Sequence, residues 1–228
     1  MGLTVHHLQH SQSERIVWLC EELGIDYELK IYQRERIGLG APANLKAIHP
    51  TGTAPVIQDG DITMSESAAI MDYLLGKHGN GALSVSSSAP NFSDYVFWYH
   101  WGIGTFQSTA MTLVYFVKAG VEETHPIVQV LIQKRTSGLD MVNQRLMQST
   151  WLAGEEFTAA DVYTVFVVTT MRLFTPFSLS GYSGIKRWLE NVSHRPAYRR
   201  LIEKAEQGES RGEFPVLGDE APRPMASY

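Results

Sequence analysis

The stretch TAPVIQDGDITMSESAAI, Thr53 to Ile70, carries a strand entry, a tight turn, a second strand and a helix start in immediate succession. Proline lacks the ladder donor, so Pro55 belongs at the first residue or the edge of a strand. It also biases Ala54 toward extended backbone. A trans Ala54-Pro55 bond is the default; a cis bond would turn the amide and carbonyl of Ala54 outward, toward the backbone of a ligand. Val56 to Gln58 and Ile62 to Met64 read as short strands, and Asp59-Gly60-Asp61 supplies the turn chemistry between them, so the segment predicts a hairpin. Ser65 is then expected to cap a helix. Glu66 and Ser67 would fall in its first turn, where unpaired N–H groups and the positive dipole end favour a bound carboxylate. Ser67 can add a hydroxyl donor, while Glu66 can accept from an ammonium group. Together they suit an α-amino acid head. The simpler reading of one Ser-Glu-Ser start is an ordinary capped helix.

The amino end supplies a second signal. LTVHHL, residues 3–8, reads as a strand, and Ile16, Val17, Cys20 and Leu23 follow as an apolar stripe at helical spacing that Gly24 ends. A second strand spans Tyr27 to Tyr32, and a helical stretch covers Ala43 to Ile48 before the hairpin. This order, strand, helix, strand, short helix, hairpin, helix, is an open α/β unit of thioredoxin type. Ser11 lies at the strand-to-helix turn, where a hydroxyl donor, nearby amides and the helix dipole stabilise a thiolate. Helix capping is the competing role, and Ser13 competes with Ser11 for either.

SQSERIVWLCEELGIDYEL, LKAIHPTGTAPVIQDGDITMSESAAIMDYL and the later FTAADV resemble the cytosolic glutathione transferase superfamily, in particular a fungal-type, serine-using branch. The resemblance covers nearly the whole chain. It implies an α/β plus all-α fold, a thioredoxin-like domain at residues 1–80, a linker at 81–90 and a helical bundle with a loose tail at 91–228. Within that fold, Thr53 and Ala54 preceding a cis Pro55 would pair with the cysteinyl backbone of glutathione, and Glu66 and Ser67 would hold its γ-glutamyl end. Ser11 is the best match for the thiolate-stabilising hydroxyl, with Ser13 as the alternative. The glycyl carboxylate lacks a clear basic partner, leaving Lys46, and behind it Arg36, as candidates. The implied activity is conjugation of glutathione, as co-substrate, to a small apolar electrophile in a cytosolic homodimer. Glutathione-dependent reduction of peroxides or disulfides uses the same thiolate, and a non-catalytic glutathione-binding module is a reading of another class.

Composition narrows the alternatives. The chain has 228 residues and a formal net charge of −5 without a basic cluster, which argues against nucleic acid. No run reaches the ~18 apolar residues of a membrane span, and the first residues lack a signal-peptide pattern. A soluble protein without membrane attachment is expected. Its one cysteine, Cys20, rules out an internal disulfide framework. His6, His7 and His10 invite a metal, but adjacent strand residues face opposite ways and nothing nearby completes a ligand set, so no metal is expected.

GNGALSVSSSAP, residues 79–90, reads as a linker, and helices dominate beyond it. Phe97, Trp101 and Thr105 share one face of a helix predicted over Phe92 to Ala119 and are the candidate substrate-pocket residues, against the alternative of plain core packing. Gly102 and Gly104 are expected to loosen that helix. Thr158 and Asp161 have capping-box spacing ahead of the apolar run VYTVFVV, a structural site. A last helix from about Ser183 to Gln207 carries Ile185, Trp188, Leu189 and Val192 on one stripe, with a break at Pro196. The terminal APRPMASY is expected to be loose.

Overall fold

The computed structural model describes residues 2–206 and 218–225. A four-stranded mixed sheet runs in the order β2 (Tyr27–Tyr32), β1 (Leu3–Leu8), β3 (Val56–Asp59), β4 (Ile62–Ser65). β1 is parallel to β2, joined through α1 (Glu14–Leu23), whereas β3 lies antiparallel to both β1 and β4. Central β1 is buried along almost its whole length, while β2 alternates as a half-exposed edge should. The hairpin closes through Asp59 and Ile62, and Gly60 takes the positive φ of 61° that its turn requires. The short helix α2 (Ala43–Lys46) inserts Leu45 against Leu8 and Ala54, with Tyr32, Ala41 and Ile48 around them. It stops before the expected Ile48. α3 (Ser67–His78) follows β4.

The described residues form two compact units: 2–84 with 194–206, and 85–193 with 218–225. The first unit therefore regains α9 (Pro196–Ala205), which packs on α1 with Trp18 edge-on to Tyr198 at 4.8 Å. Charge reinforces that apolar contact. Arg195 grips Glu22 through two hydrogen bonds of 2.6 and 2.7 Å, and Glu21 accepts from Tyr27, Arg200 and Lys204. Burial would raise the Glu21 carboxyl, but those three donors outweigh it and hold it below the usual range. The stabilisation it gives is thus complete above the ordinary glutamate pKa and is lost as pH falls through the lowered one. Glu21→Ala is expected to cost about 1 kcal/mol, the small value reflecting half-exposed cations, in thermal unfolding at neutral pH. The deficit should shrink in acid. Cys20, on the same helix, is fully buried, and burial with Glu21 nearby pushes its thiol up, so it is a packing residue.

In the second unit α7 (Ala159–Val168) is buried on every side, as its uninterrupted apolar sequence demands. Its start is a capping box between Thr158 and Asp161. The helix expected over Phe92 to Ala119 is three pieces: α4 (Phe92–Trp101), a π-helical turn (Gly102–Gln107) and α5 (Ser108–Lys118). That turn adds a residue to the repeat, so the face of Trp101 continues at Phe106, stacked on it at 4.9 Å, rather than at Thr105. Gly102 and Gly138 serve close approach rather than looseness. A Cβ on Gly102 would sit 2.6 Å from Thr164 Oγ1, and one on Gly138, in α6 (Pro126–Gln148), 2.8 Å from the Phe106 ring. α8 (Ser183–His194) ends before Pro196, which opens α9. The end of the described chain is tied down, since Arg172 donates to the carbonyls of Gly218 and Glu220 and Met225 N–H to Leu173 O. Gln207, the expected end of the last helix, and residues 226–228 of the expected loose tail lie outside the described residues. Among the described residues no helix is long and apolar enough to cross a membrane.

Candidate functional site

Three segments that are distant in sequence end at the same edge of the sheet, and strand register fixes why. His6 of β1 pairs with Val56 of β3, and Val56 pairs with Ser65 of β4. The turn after β1, the dipeptide before β3 and the residues after β4 must therefore converge. These carry Ser11, Ala54-Pro55 and Glu66-Ser67. The Ala54-Pro55 bond is cis. Ser67 Oγ lies 3.3 Å from Gln12 Oε1, which links the α1 turn directly to the start of α3.

Ser65 does not cap α3. Its hydroxyl donates to Pro55 O at 3.2 Å and accepts from Thr51 Oγ1 at 3.0 Å, so it is used inside the hairpin, and Glu66 takes the N-cap position. Glu66 has φ 82° and ψ 114°, a conformation that non-glycine residues adopt at a cost and that clusters at binding sites. Its exposed side chain makes no capping bond. The first-turn amides of α3 thus lack a side-chain acceptor and face the edge where the three segments meet, an arrangement that attracts an anion.

At the other side of this edge the two serines differ. Ser13 is fully buried, and its Oγ accepts from Leu8 N at 3.0 Å while also touching His7 Nδ1 at 2.9 Å. Ser11 keeps 6% exposure; its Oγ accepts from Ser13 N at 3.2 Å and lies 2.7 Å from Ser13 Oγ. Neither hydroxyl caps α1, because Ser13 at the N-cap makes no such bond. Lys46 reaches Glu35 at 3.8 Å with both side chains half exposed, a weak surface pair that leaves the ammonium available to an anion. Thr53 is exposed beside Ala54.

Both halves of the chain match known protein families. The model of the glutathione S-transferase N-terminal domain matches residues 11–75, and that of the C-terminal domain residues 106–196. Glutathione S-transferase 3 of Schizosaccharomyces pombe is 32% identical over 217 residues, covering 90% of this chain and 88% of that protein. The chain belongs to the glutathione S-transferase family. Glutathione S-transferase 1 of Saccharomyces cerevisiae is 25% identical, over 89% of this chain and 95% of its own. The crystal structure of a glutathione S-transferase from Actinobacillus pleuropneumoniae superposes with a TM-score of 0.82 at 33% identity, covering 94% of this chain and 98% of that one. A Pseudomonas fluorescens family member crystallised with two glutathione molecules shares the fold, with a TM-score of 0.72 at 20% identity, over 89% of this chain and 92% of its own.

In this transferase-family chain the turn bearing Ser11 is held by residues that sequence reading passed over. Arg34 donates to Gln9 O, Leu39 O and His10 O at 3.0, 2.6 and 2.9 Å. Burial lowers its guanidinium to about 10, still a cation at neutral pH. Its trace in the sequence is a cation just past β2. Glu206, 196 residues away from His10, accepts from His10 N and faces both His7 and His10, a placement for which the sequence carries no signal. His6 points the other way, between Tyr32 OH and Gln58 Oε1 at 2.9 Å each. Among the described residues no group of three or more His, Cys, Asp or Glu is placed to hold a metal.

The substrate-pocket candidates lie in the helical unit. Trp101 and Thr105 line a surface cleft of about 650 Å³ between the π turn and α6, with Gln133, Lys134 and Met141. Phe97 lies outside that lining, 47% exposed and stacked on Trp101 at 6.4 Å.

Proposed function

We propose that this chain binds glutathione at the edge where the three segments converge, ionises its thiol beside Ser11 and conjugates the thiolate to an apolar electrophile. The observation that carries this reading is the joining of an uncapped helix N-terminus, at Glu66-Ser67, to the Ser11 turn through Gln12. The first-turn amides and Ser67 receive the γ-glutamyl carboxylate, and Glu66 accepts from its ammonium. The backbone of Ala54, between Thr53 and Pro55, pairs with the cysteinyl unit, and Lys46 takes the glycyl carboxylate. Ser11, the more accessible serine, donates to the sulfur, which makes the chain a serine-using member. Phe97, Trp101 and Thr105 are the proposed contacts for the electrophile, whose apolar character follows from those aromatic surfaces. The exposed Tyr115 and Val117 support a homodimer, to be checked by solution scattering.

Titration with glutathione, followed by thiolate ultraviolet absorbance across pH, tests the core of this reading. Saturable binding with the bound thiol ionising below its solution value is expected. Failure to saturate sinks it. Glu66→Ala is expected to weaken glutathione about tenfold, the loss of one charge-assisted contact of roughly 1.4 kcal/mol, with thermal stability unchanged because alanine keeps the Cβ and the positive φ of this position. Unaltered affinity would remove Glu66 from the site.

A further inference from the structure

Behind Ser11 lies a file of buried polar groups that a helix start does not need, hydrogen-bonded as far as His7 and continued to Glu206 by a longer contact. Ser11 Oγ is 2.7 Å from Ser13 Oγ, Ser13 Oγ is 2.9 Å from His7 Nδ1, and His7 Nε2 is 3.5 Å from Glu206 Oε1. The His7 and Ser13 side chains are wholly buried and Glu206 nearly so. The other Glu206 oxygen lies 3.0 Å from His10 Nδ1, and the His10 amide donates to Oε1 at 3.1 Å. Burying a carboxylate this deeply costs several kcal/mol unless it is paired. Burial would raise Glu206, but its pairing with His10 and His7 overcomes that and holds it well below the usual carboxylate range.

We infer that His7, oriented by Glu206, is the acceptor of the glutathione thiol proton, which reaches it through the hydroxyls of Ser11 and Ser13. The inference rests on the reading that places the thiol at Ser11.

The direction of each bond follows from the carboxylate. With Glu206 an anion facing Nε2, neutral His7 carries its hydrogen there, and Nδ1 presents a lone pair to Ser13. Ser13 Oγ already accepts from Leu8 N, and its own hydrogen has two acceptors, Leu8 O at 3.3 Å and the nearer His7 Nδ1 at 2.9 Å. When the thiol S–H bond breaks, its proton passes to Ser11 Oγ, the Ser11 hydroxyl proton to Ser13 Oγ, and the Ser13 hydroxyl proton to His7 Nδ1. Each serine ends as it began, the sulfur keeps the electron pair, and His7 becomes an imidazolium between Ser13 and Glu206. The long His7–Glu206 contact then tightens into a charge-assisted hydrogen bond. Nδ1–H now donates to Ser13 Oγ, Ser13 donates to Ser11 Oγ, and Ser11 also accepts from Ser13 N, so its remaining hydrogen can point only at the thiolate. The His10 amide, which donates to Glu206 Oε1, and the Arg34 guanidinium, the cation facing Glu206, favour the ionised carboxylate. His7, Ser13 and Glu206 are positioning residues, since Ser11 alone touches sulfur.

The decisive experiment is a ¹⁵N spectrum of the His7 imidazole in the whole protein at neutral pH, with glutathione and with S-methylglutathione. Saturating glutathione is expected to move both ring nitrogens to imidazolium positions. S-methylglutathione, having no thiol proton to give, should bind without doing so. Glu206→Gln and His7→Gln are expected to raise the pH at which bound thiol ionises by about one unit, roughly tenfold less thiolate in neutral solution, with S-methylglutathione affinity unchanged. Ionised bound thiol beside a neutral His7 overturns the inference, as does a parent-like thiol titration in either folded variant. Should S-methylglutathione bind while the thiol ionises elsewhere than at Ser11, the Ser11→Ala titration stays at the parent value and the site reading fails with it. Because the ¹⁵N comparison uses the unaltered chain, a variant that does not fold leaves the decision intact.

Discussion

Ser11→Ala is expected to lower kcat/KM about 100-fold near pH 6.5, with glutathione still binding. Removing one well-placed donor to a developing anion costs roughly 3 kcal/mol in comparable oxyanion sites, and a bound thiolate presents the same demand. The signature is its pH dependence. The variant's bound thiol should ionise about two units higher, so its deficit narrows as pH rises toward the point where unassisted thiol is already ionised. Stability should fall by only about 1–2 kcal/mol, because the Ser11 hydroxyl makes two local bonds, with Ser13 N and Ser13 Oγ. Steady-state rates with an aromatic electrophile across pH check it. Turnover matching the parent at low pH would shift the role to Ser13 or to the backbone amides. Ser13→Ala is the less informative variant, since Ser13 Oγ is also the acceptor for the buried Leu8 amide.

The second large effect is on folding. Asp161→Ala is expected to destabilise the helical unit by about 3 kcal/mol, roughly 10 °C in thermal midpoint, without altering glutathione affinity. The Asp161 carboxylate is completely buried and accepts from Leu152 N at 2.9 Å, Thr158 N at 3.0 Å and Trp188 Nε1 at 3.0 Å. It thereby ties the 151–154 turn, the α7 start and α8 together at one point. Alanine would leave those three donors buried without a partner, each costing about 1–3 kcal/mol before relaxation and offset by the removed desolvation of the carboxylate. Burial pushes the Asp161 carboxyl up to about 6 against the pull of its donors. A raised folded-state pKa means the folded chain binds the proton more tightly. The contribution of this group is therefore greatest below the ordinary aspartate value and declines as pH rises through about 6. Asp161→Asn, which does not titrate, should lack that decline, and unfolding midpoints from pH 4 to 7 compare the two. An unchanged midpoint for Asp161→Ala would show the donors finding other acceptors.

Local chemistry accounts for what the sequence by itself determined: the strand and helix order up to His78, the hairpin around Gly60, a helix start beside Ser67 and the Thr158–Asp161 box. Each depends on turn residues, caps or periodicity acting within about four positions, and those signals are present in the chain itself. What only the tertiary structure decided depends on groups far apart in sequence competing for the same partners. Ser65 carries a good capping side chain, yet Pro55 O and Thr51 claim it across the hairpin, and the cap passes to a strained Glu66. The even spacing of Phe97, Trp101 and Thr105 is broken by a π turn whose Gly102 lets α7 approach and whose Phe106 packs on Gly138 of α6, a packing demand that periodicity does not encode. Cys20 fits its apolar stripe from sequence, but the docking of α9 against that helix does not follow from any local pattern. That docking is also what brings Glu206 to His7. A carboxylate and an imidazole 199 positions apart meet because an apolar face of α9, led by Tyr198, needs Trp18 to cover it.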